Sequence, residues 1–207
     1  MMANARAEAA AVLLLVGAVA AAGAARREEA KRVFLKGGDI SMLTRIEGVG
    51  GVYREEGEKR EALAIFRGKG WNCVRLRLFH SPSGEGAVCN DLEYTVKLAR
   101  RAKRAGFQIL LDFHYSDTWA DPGHQRKPAA WEGLAFEELE RAVFAYTRDC
   151  IAAFRKAEAL PDVVQLGNEI TPGMLWPEGR VGGKEFNTPK QWARLAALLA
   201  AGRRGVK

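Results

Sequence analysis

The chain has 207 residues, with 32 Lys and Arg against 25 Asp and Glu, for a formal net charge of +7. That length is one domain's worth of chain. Its basic residues are dispersed over helix surfaces, as at Arg100, Arg101, Lys103 and Arg104, without interleaved aromatic residues, which argues against a nucleic-acid stripe.

Arg6 precedes an apolar stretch, Ala9–Ala22, that contains Val12, Leu13, Leu14, Leu15 and Val16. Ala22-Gly23-Ala24 follows as a cleavage site ahead of Arg26 and Arg27. This is a secretory signal pattern over residues 1–25, because a membrane span needs roughly 20 apolar residues. An uncleaved signal anchor is the alternative. The mature chain, 26–207, is expected outside the cell and free of the membrane. Three cysteines do not make a disulfide framework. Cys73 and Cys150 read as core residues, and a bridge through Cys89 stays open if the chain is secreted.

Val33–Leu35 leads into a brief strand that ends on Asp39, followed by a Gly-rich loop through Gly48, Gly50, Gly51 and Tyr53. Residues 58–67 read as a helix with Leu63 and Phe66 inward, ended by Gly68 and Gly70. Val74–Phe79 is the second strand, with Val74, Leu76 and Leu78 on one face and Arg75, Arg77 and Phe79 on the other. Asp91 caps a helix that buries Leu92, Val96, Ala99 and Ala102 and stops at Gly106. Phe107–His114 is the third strand, with Asp112 and His114 on the same face. A polar, aromatic loop runs from Tyr115 to about Gly133. The next helix carries a stripe of Leu139, Val143, Tyr146, Cys150, Phe154 and Ala157. Val163, Val164 and Leu166 form the fourth strand, which ends at Asn168 and Glu169. Thr188-Pro189-Lys190-Gln191 reads as a capping box with Pro at the first helical position, opening a helix through Trp192, Leu195 and Leu199.

Strand and helix alternate four times with no hairpin signal between strands, which argues for an α/β fold on a parallel sheet. Polar residues gather at the strands' carboxyl ends: Asp39, Arg77, His114 and Glu169. That face carries the active site in a (β/α)8 barrel. Eight units need roughly 250 residues, so about the first four of a TIM barrel are expected here. An open doubly wound sheet competes, but the first strand-to-helix loop lacks a GxGxxG.

Glu169 is a carboxylate at the end of a buried strand, flanked by Asn168 and Trp176. An acid beside a polar orienter and an apolar plate suits sugar chemistry, and makes Glu169 the candidate general acid/base. The bland reading is a hydrated loop residue. Arg75, Arg77, His114 and Glu169 converge if they share the inward face, and a guanidinium there would hold a carboxylate ionised. The two arginines also read as buried ion pairs with Asp112 or Asp39; both readings are compatible. His114, Asp117, Asp121 and His124 follow an H-x-x-D-x-x-x-D-x-x-H spacing that a metal could use, but Pro122 and Gly123 interrupt it. The preferred reading is a sugar platform with no metal and no cofactor. Trp119, Trp131 and Trp176 lie in loops above the sheet, where indole rings stack on sugars or simply cap the barrel. No GxSxG, Walker motif or paired CxxC occurs.

Four segments carry a resemblance: Gly37–Ser41, Val74–Phe79, Leu110–Gln125 (LLDFHYSDTWADPGHQ) and Gly167–Arg180 (GNEITPGMLWPEGR). They resemble the arabinogalactan endo-β-1,4-galactanases of glycoside hydrolase family 53, in order and spacing, over essentially the whole mature chain. The resemblance implies a (β/α)8 barrel that hydrolyses β-1,4-galactan in pectic side chains with retention of configuration. It implies that Glu169 is the acid/base and that Asn168 binds the sugar's 2-hydroxyl. Arg77 or Arg75 would hold the nucleophile ionised. His114, Trp119, Asp121 and Trp176 match the family's substrate-lining positions, and Asp39 and Asp117 are further substrate-binding candidates beside them. The family's nucleophile is a second Glu at the end of strand seven, and no Glu here matches it. The expectation is therefore the amino-terminal half of a galactanase, inactive or nearly so alone and monomeric when complete. A silent carbohydrate-binding fragment is the alternative, and a metal-dependent hydrolase using His114 and Asp121 is the outsider.

Overall fold

β-branched and leucine-rich runs pair into one parallel sheet. In a computed structural model that describes residues 34–207, the strands are β1 (Gly37–Asp39), β4 (Cys73–Leu78), β5 (Gln108–Phe113) and β6 (Val163–Leu166), hydrogen-bonded in that order. The segment read as a signal peptide, with its cleavage site, lies outside the described residues. Parallel register sets Asp39 beside Arg75, Arg77 beside Asp112, and Asp112 beside Gln165. Residues level with one another on parallel strands point to the same side, so the polar residues form one band across the sheet.

The three long helices, α3 (Leu92–Arg104), α4 (Phe136–Lys156) and α5 (Pro189–Val206), bury their stripes against the other face. There Val74, Leu76, Leu78, Ile109, Leu111 and Phe113 are fully buried among Leu98, Leu139, Val143, Phe154 and Leu198. Each such side chain contributes about 1.5–3 kcal/mol of burial. The polar face differs: Val163 is exposed and Leu110 is only half-buried. A sheet with its helix-packed core on one face is the arrangement of barrel units, not of a doubly wound sheet.

Several local expectations are corrected. The Gly-rich loop contains a short helix, α1 (Leu43–Gly48), anchored by buried Leu43. The helix read over 58–67 begins only at α2 (Ala62–Gly68), where the Glu61 carboxylate accepts the Ala64 N–H at 2.7 Å. Glu58 instead sits in a hairpin, β2 (Arg54–Glu55) with β3 (Glu58–Lys59), turned at Glu56 and Gly57, both at positive φ. Two central residues at φ > 0 match the twist of a tight hairpin. A second hairpin, β7 (Gly173–Met174) with β8 (Gly179–Arg180), follows β6. The capping box at α5 is half made: Thr188 accepts from Gln191 N–H, but the Gln191 amide turns to the carbonyls of Pro177 and Arg180. All three cysteines are free and buried, so Cys89 is in no bridge.

Candidate active site

The carboxyl ends of the strands are joined by one charged network. Arg75 reaches from β4 to Asp39 on β1 (2.7 Å), to Asp112 on β5 (2.5 Å) and to the Asn168 side-chain oxygen beyond β6 (2.7 Å). Asp112 is wholly buried. A carboxylate is held there because the guanidinium faces it; without that partner its burial would be strongly unfavourable. His114 Nδ1 accepts the Ala120 N–H at 3.2 Å, so the proton of the neutral ring sits on Nε2. Nε2 lies 3.1 Å from Asp112 Oδ2 but too far off line to hydrogen-bond it.

Asn168 and Glu169 take their directions from a break in the strand. By strict alternation Asn168 would share the face of Val164 and Leu166. Gly167, at φ +88°, shifts the phase, and Asn168 turns to the polar face instead. A side chain at Gly167 would meet Ile170 Cγ2 at 2.6 Å. The Asn168 amide also donates to Ala120 O at 2.7 Å, so its orientation is set at both ends. Glu169 then stands at φ +50°, a conformation costing an L-residue about 1–2 kcal/mol. Its carboxylate is exposed and has no hydrogen-bond or ion-pair partner among the described residues. Tyr115, after β5, and Leu175, beyond β6, also have positive φ, so unfavourable backbone gathers at this rim.

Arg77 differs from Arg75. It is 7% exposed, its nearest carboxylate oxygen is Asp39 Oδ2 at 3.6 Å from Nε, and its guanidinium makes no hydrogen bond among the described residues. The Trp119 ring lies 4.7 Å from it, a cation–π contact, and packs edge-on to His114. Trp119 is 39% exposed, whereas Trp131 is buried in the core beside His80 and Tyr146. Trp176 donates its indole N–H to Pro172 O, and one ring face is covered by Arg180, 4.2 Å away. Arg180 lies also against Phe186, and this group lines a cavity of about 420 Å³ with Pro122 and Pro172.

The loop acids bind within the chain. Asp117 accepts from the N–H groups of Ser81 and Ala129, which ties two loops together. Asp121 accepts from His124 at 2.9 Å and from Gly123 N–H at 2.7 Å, and these bonds hold its carboxyl below the usual range. The His114–Asp117–Asp121–His124 spacing does not converge: His114 is buried under Trp119, and His124 is exposed beside Asp121. Two contributors were not singled out from sequence. Gln125 is buried with its amide on Asn168 O and Asp121 O. Lys127 is buried with Glu178 at 2.9 Å. A polar residue in a loop gives no periodic signal, so neither was marked.

Four βα units, with a carboxylate and its asparagine at the end of the fourth strand, define part of a (β/α)8 barrel of the glycoside hydrolase class. The chain belongs to glycosyl hydrolase family 53, whose family model matches residues 35–207. It is 37% identical over 175 residues to an arabinogalactan endo-beta-1,4-galactanase of Cellvibrio japonicus, covering 84% of this chain and 45% of that one. An uncharacterised protein encoded in the bgaB 5' region of Niallia circulans is 50% identical over 178 residues, covering 86% and 48%. The GH53 catalytic domain of Ignisphaera aggregans superposes with a TM-score of 0.77 at 39% identity, over 84% of this chain and 48% of that one. A fungal beta-1,4-galactanase gives 0.75 at 35% identity, over 84% and 49%. The chain spans about half the length of the curated relatives it matches.

Proposed function

We propose that the chain carries the acid/base half of a retaining endo-β-1,4-galactanase, with Glu169 as the proton donor. The observation that carries this reading is the exposed, unpartnered Glu169 carboxylate beside an Asn168 clamped by Arg75 and Ala120. In the first step Glu169 gives its proton to the glycosidic oxygen as the bond to the anomeric carbon breaks. A second carboxylate attacks that carbon and forms a glycosyl-enzyme. In the second step Glu169 takes a proton from water, which displaces the enzyme carboxylate with overall retention. Asn168 keeps one N–H for the sugar's 2-hydroxyl, since its other bonds run to Arg75 and Ala120.

The second carboxylate is assigned outside these 207 residues. Retaining chemistry needs two carboxyls about 5 Å apart, and Asp39 and Asp112 are both engaged by Arg75. Of the two arginines, Arg77 is the one suited to hold that carboxylate ionised, because its donors are free while Arg75 is committed. His114, Trp119, Asp121 and Trp176 would border the galactan. The same commitment of Asp39 and Asp112 favours the second reading for the 207-residue chain by itself, a sugar-binding piece that does not turn over. A polymeric substrate fits export through a signal in residues 1–25. Among the described residues no helix is long and apolar enough to cross a membrane.

The test is reducing-sugar release from β-1,4-galactan by the 207-residue chain and by a barrel-length chain continued through four further βα units. The expected result is turnover by the longer chain only, abolished by Glu169→Gln and unaffected by a chelator. Full turnover by the 207-residue chain would overturn the assignment of the second carboxylate. Activity surviving Glu169→Gln would overturn the acid/base role.

A further inference from the structure

We propose that Gln125 is a positioning residue for Glu169, acting through the peptide bond that precedes it. Its catalytic consequence rests on the acid/base role of Glu169; its geometric content does not. The Gln125 side chain is 2% exposed, and its Nε2 donates to the Asn168 carbonyl at 2.8 Å and to the Asp121 carbonyl at 3.1 Å. The Asn168 carbonyl belongs to the peptide whose nitrogen is that of Glu169. Among the described residues this bond is the hydrogen bond that holds that peptide.

Glu169 needs such a hold. Its φ of +50° is unfavourable for a residue with a Cβ, and it persists only where the surroundings enforce it. The Glu169 side chain makes no bond that could do so. Beyond the bond from Gly173 N–H to the Ile170 carbonyl, the constraint enters from the amino-terminal side, where Gly167 permits the turn, Arg75 and Ala120 fix the Asn168 side chain, and Gln125 fixes the plane of the 168–169 peptide. If that plane is free to rotate, the Cβ of Glu169 swings with it and the carboxyl leaves the scissile oxygen. The Gln125 carbonyl also accepts the Trp176 N–H at 2.8 Å. One buried residue therefore ties the acid to the tryptophan beyond it. An amide is the group suited to this place, since it alone among isosteres offers two hydrogens to two carbonyls.

The experiment begins with the 207-residue chain labelled with 13C,15N-glutamate, in which the Glu169 resonances are assigned by their loss in Glu169→Gln. Gln125→Leu is expected to shift or broaden Glu169 while leaving distant glutamates in place. Gln125→Glu is expected to do the same at pH 8 and to recover as pH falls, because a protonated carboxyl regains one donor for Asn168 O. A folded Gln125→Leu with unmoved Glu169 resonances would overturn the proposal. Should that variant not fold, a Gln125→Glu spectrum in which Glu169 matches the parent chain at pH 8 does so equally.

Turnover in the barrel-length chain supplies the second readout. A residue that acts through the acid matters most for a poor leaving group. Gln125→Leu is expected to lower kcat/KM on galactan about a hundredfold. It is expected to spare kcat/KM for a dinitrophenyl β-galactobioside, whose phenolate leaves without a proton, while kcat on that substrate stays limited by the second step, where Glu169 is the base. Glu169→Ala is the control. If it lacks this leaving-group signature, the acid/base reading falls, and the resonance result still decides the geometry. If it has the signature and Gln125→Leu slows both substrates alike, the proposal on Gln125 falls alone.

Discussion

Replacing Arg75 by methionine removes the cation on which the candidate site is built. Three partners lose their donor: Asp39, Asp112 and the Asn168 side chain. They do not count equally. Asp39 has a side chain about a third exposed, so water replaces most of what it loses, on the order of 0–1 kcal/mol. Asp112 is wholly buried, and its other oxygen already has no partner. Removing one member of a buried pair costs about 3–5 kcal/mol, because the other charge remains. Arg75 itself is 27% exposed, which admits some water and favours the lower end, about 3 kcal/mol. Against a total stability of about 5–15 kcal/mol this is a large share. With a urea slope of about 2 kcal/mol/M, the midpoint falls by about 1.5 M. Urea unfolding followed by far-UV circular dichroism measures it. The paired variant Arg75→Met with Asp112→Leu is expected to regain most of the loss, since no uncompensated charge is then buried. A single-variant loss below about 1 kcal/mol, or a double variant no better than the single, would refute the reasoning.

Four further outcomes are expected. In the barrel-length chain, Glu169→Gln lowers galactan turnover by at least the 10²–10⁴-fold typical of a lost acid/base, as roughly gauged from reducing-sugar assays. The Asp121 carboxyl is depressed by His124 and the Gly123 N–H, so its contribution is complete above the unfolded carboxylate pKa of about 4 and is lost as pH falls through the lower folded value. Acid unfolding followed by tryptophan fluorescence should therefore lose a small part of its pH dependence below about pH 4 in Asp121→Asn. Burial pushes the Cys150 thiol up to about 12 and raises Cys73 as well, so Ellman's reagent at pH 8 should leave both unreacted in the folded chain and find three thiols after unfolding. Gly202→Ala on α5 would place a methyl 2.9 Å from the Tyr115 hydroxyl and 3.1 Å from Leu166, and should destabilise by about 1–3 kcal/mol despite the better helix propensity of alanine.

The strands and long helices were legible because their signals are periodic. Val74, Leu76 and Leu78 alternate with Arg75 and Arg77, and the stripe from Leu139 to Phe154 repeats at helical spacing; burial follows both patterns. The shorter elements were not. A turn at Glu56-Gly57 depends on two residues at positive φ, which a glutamate does not advertise. It displaced the start of α2 by a whole hairpin. The capping box failed at Gln191 for a related reason: the Pro177 and Arg180 carbonyls compete for its amide, and those carbonyls come close only after β7 and β8 form.

Sequence by itself determined the α/β class, the family and Glu169 at the end of the fourth strand, because each rests on local periodicity or a contiguous motif. The tertiary structure decided the rest. It turned Asn168 inward through the backbone of Gly167, committed Arg75 to Asp39, Asp112 and Asn168, and left Arg77 with free donors under Trp119. Two arginines separated by one residue on the same strand face look alike in sequence. They differ in the carboxylates that the neighbouring strands bring level with them, and register between strands is set only when the sheet forms.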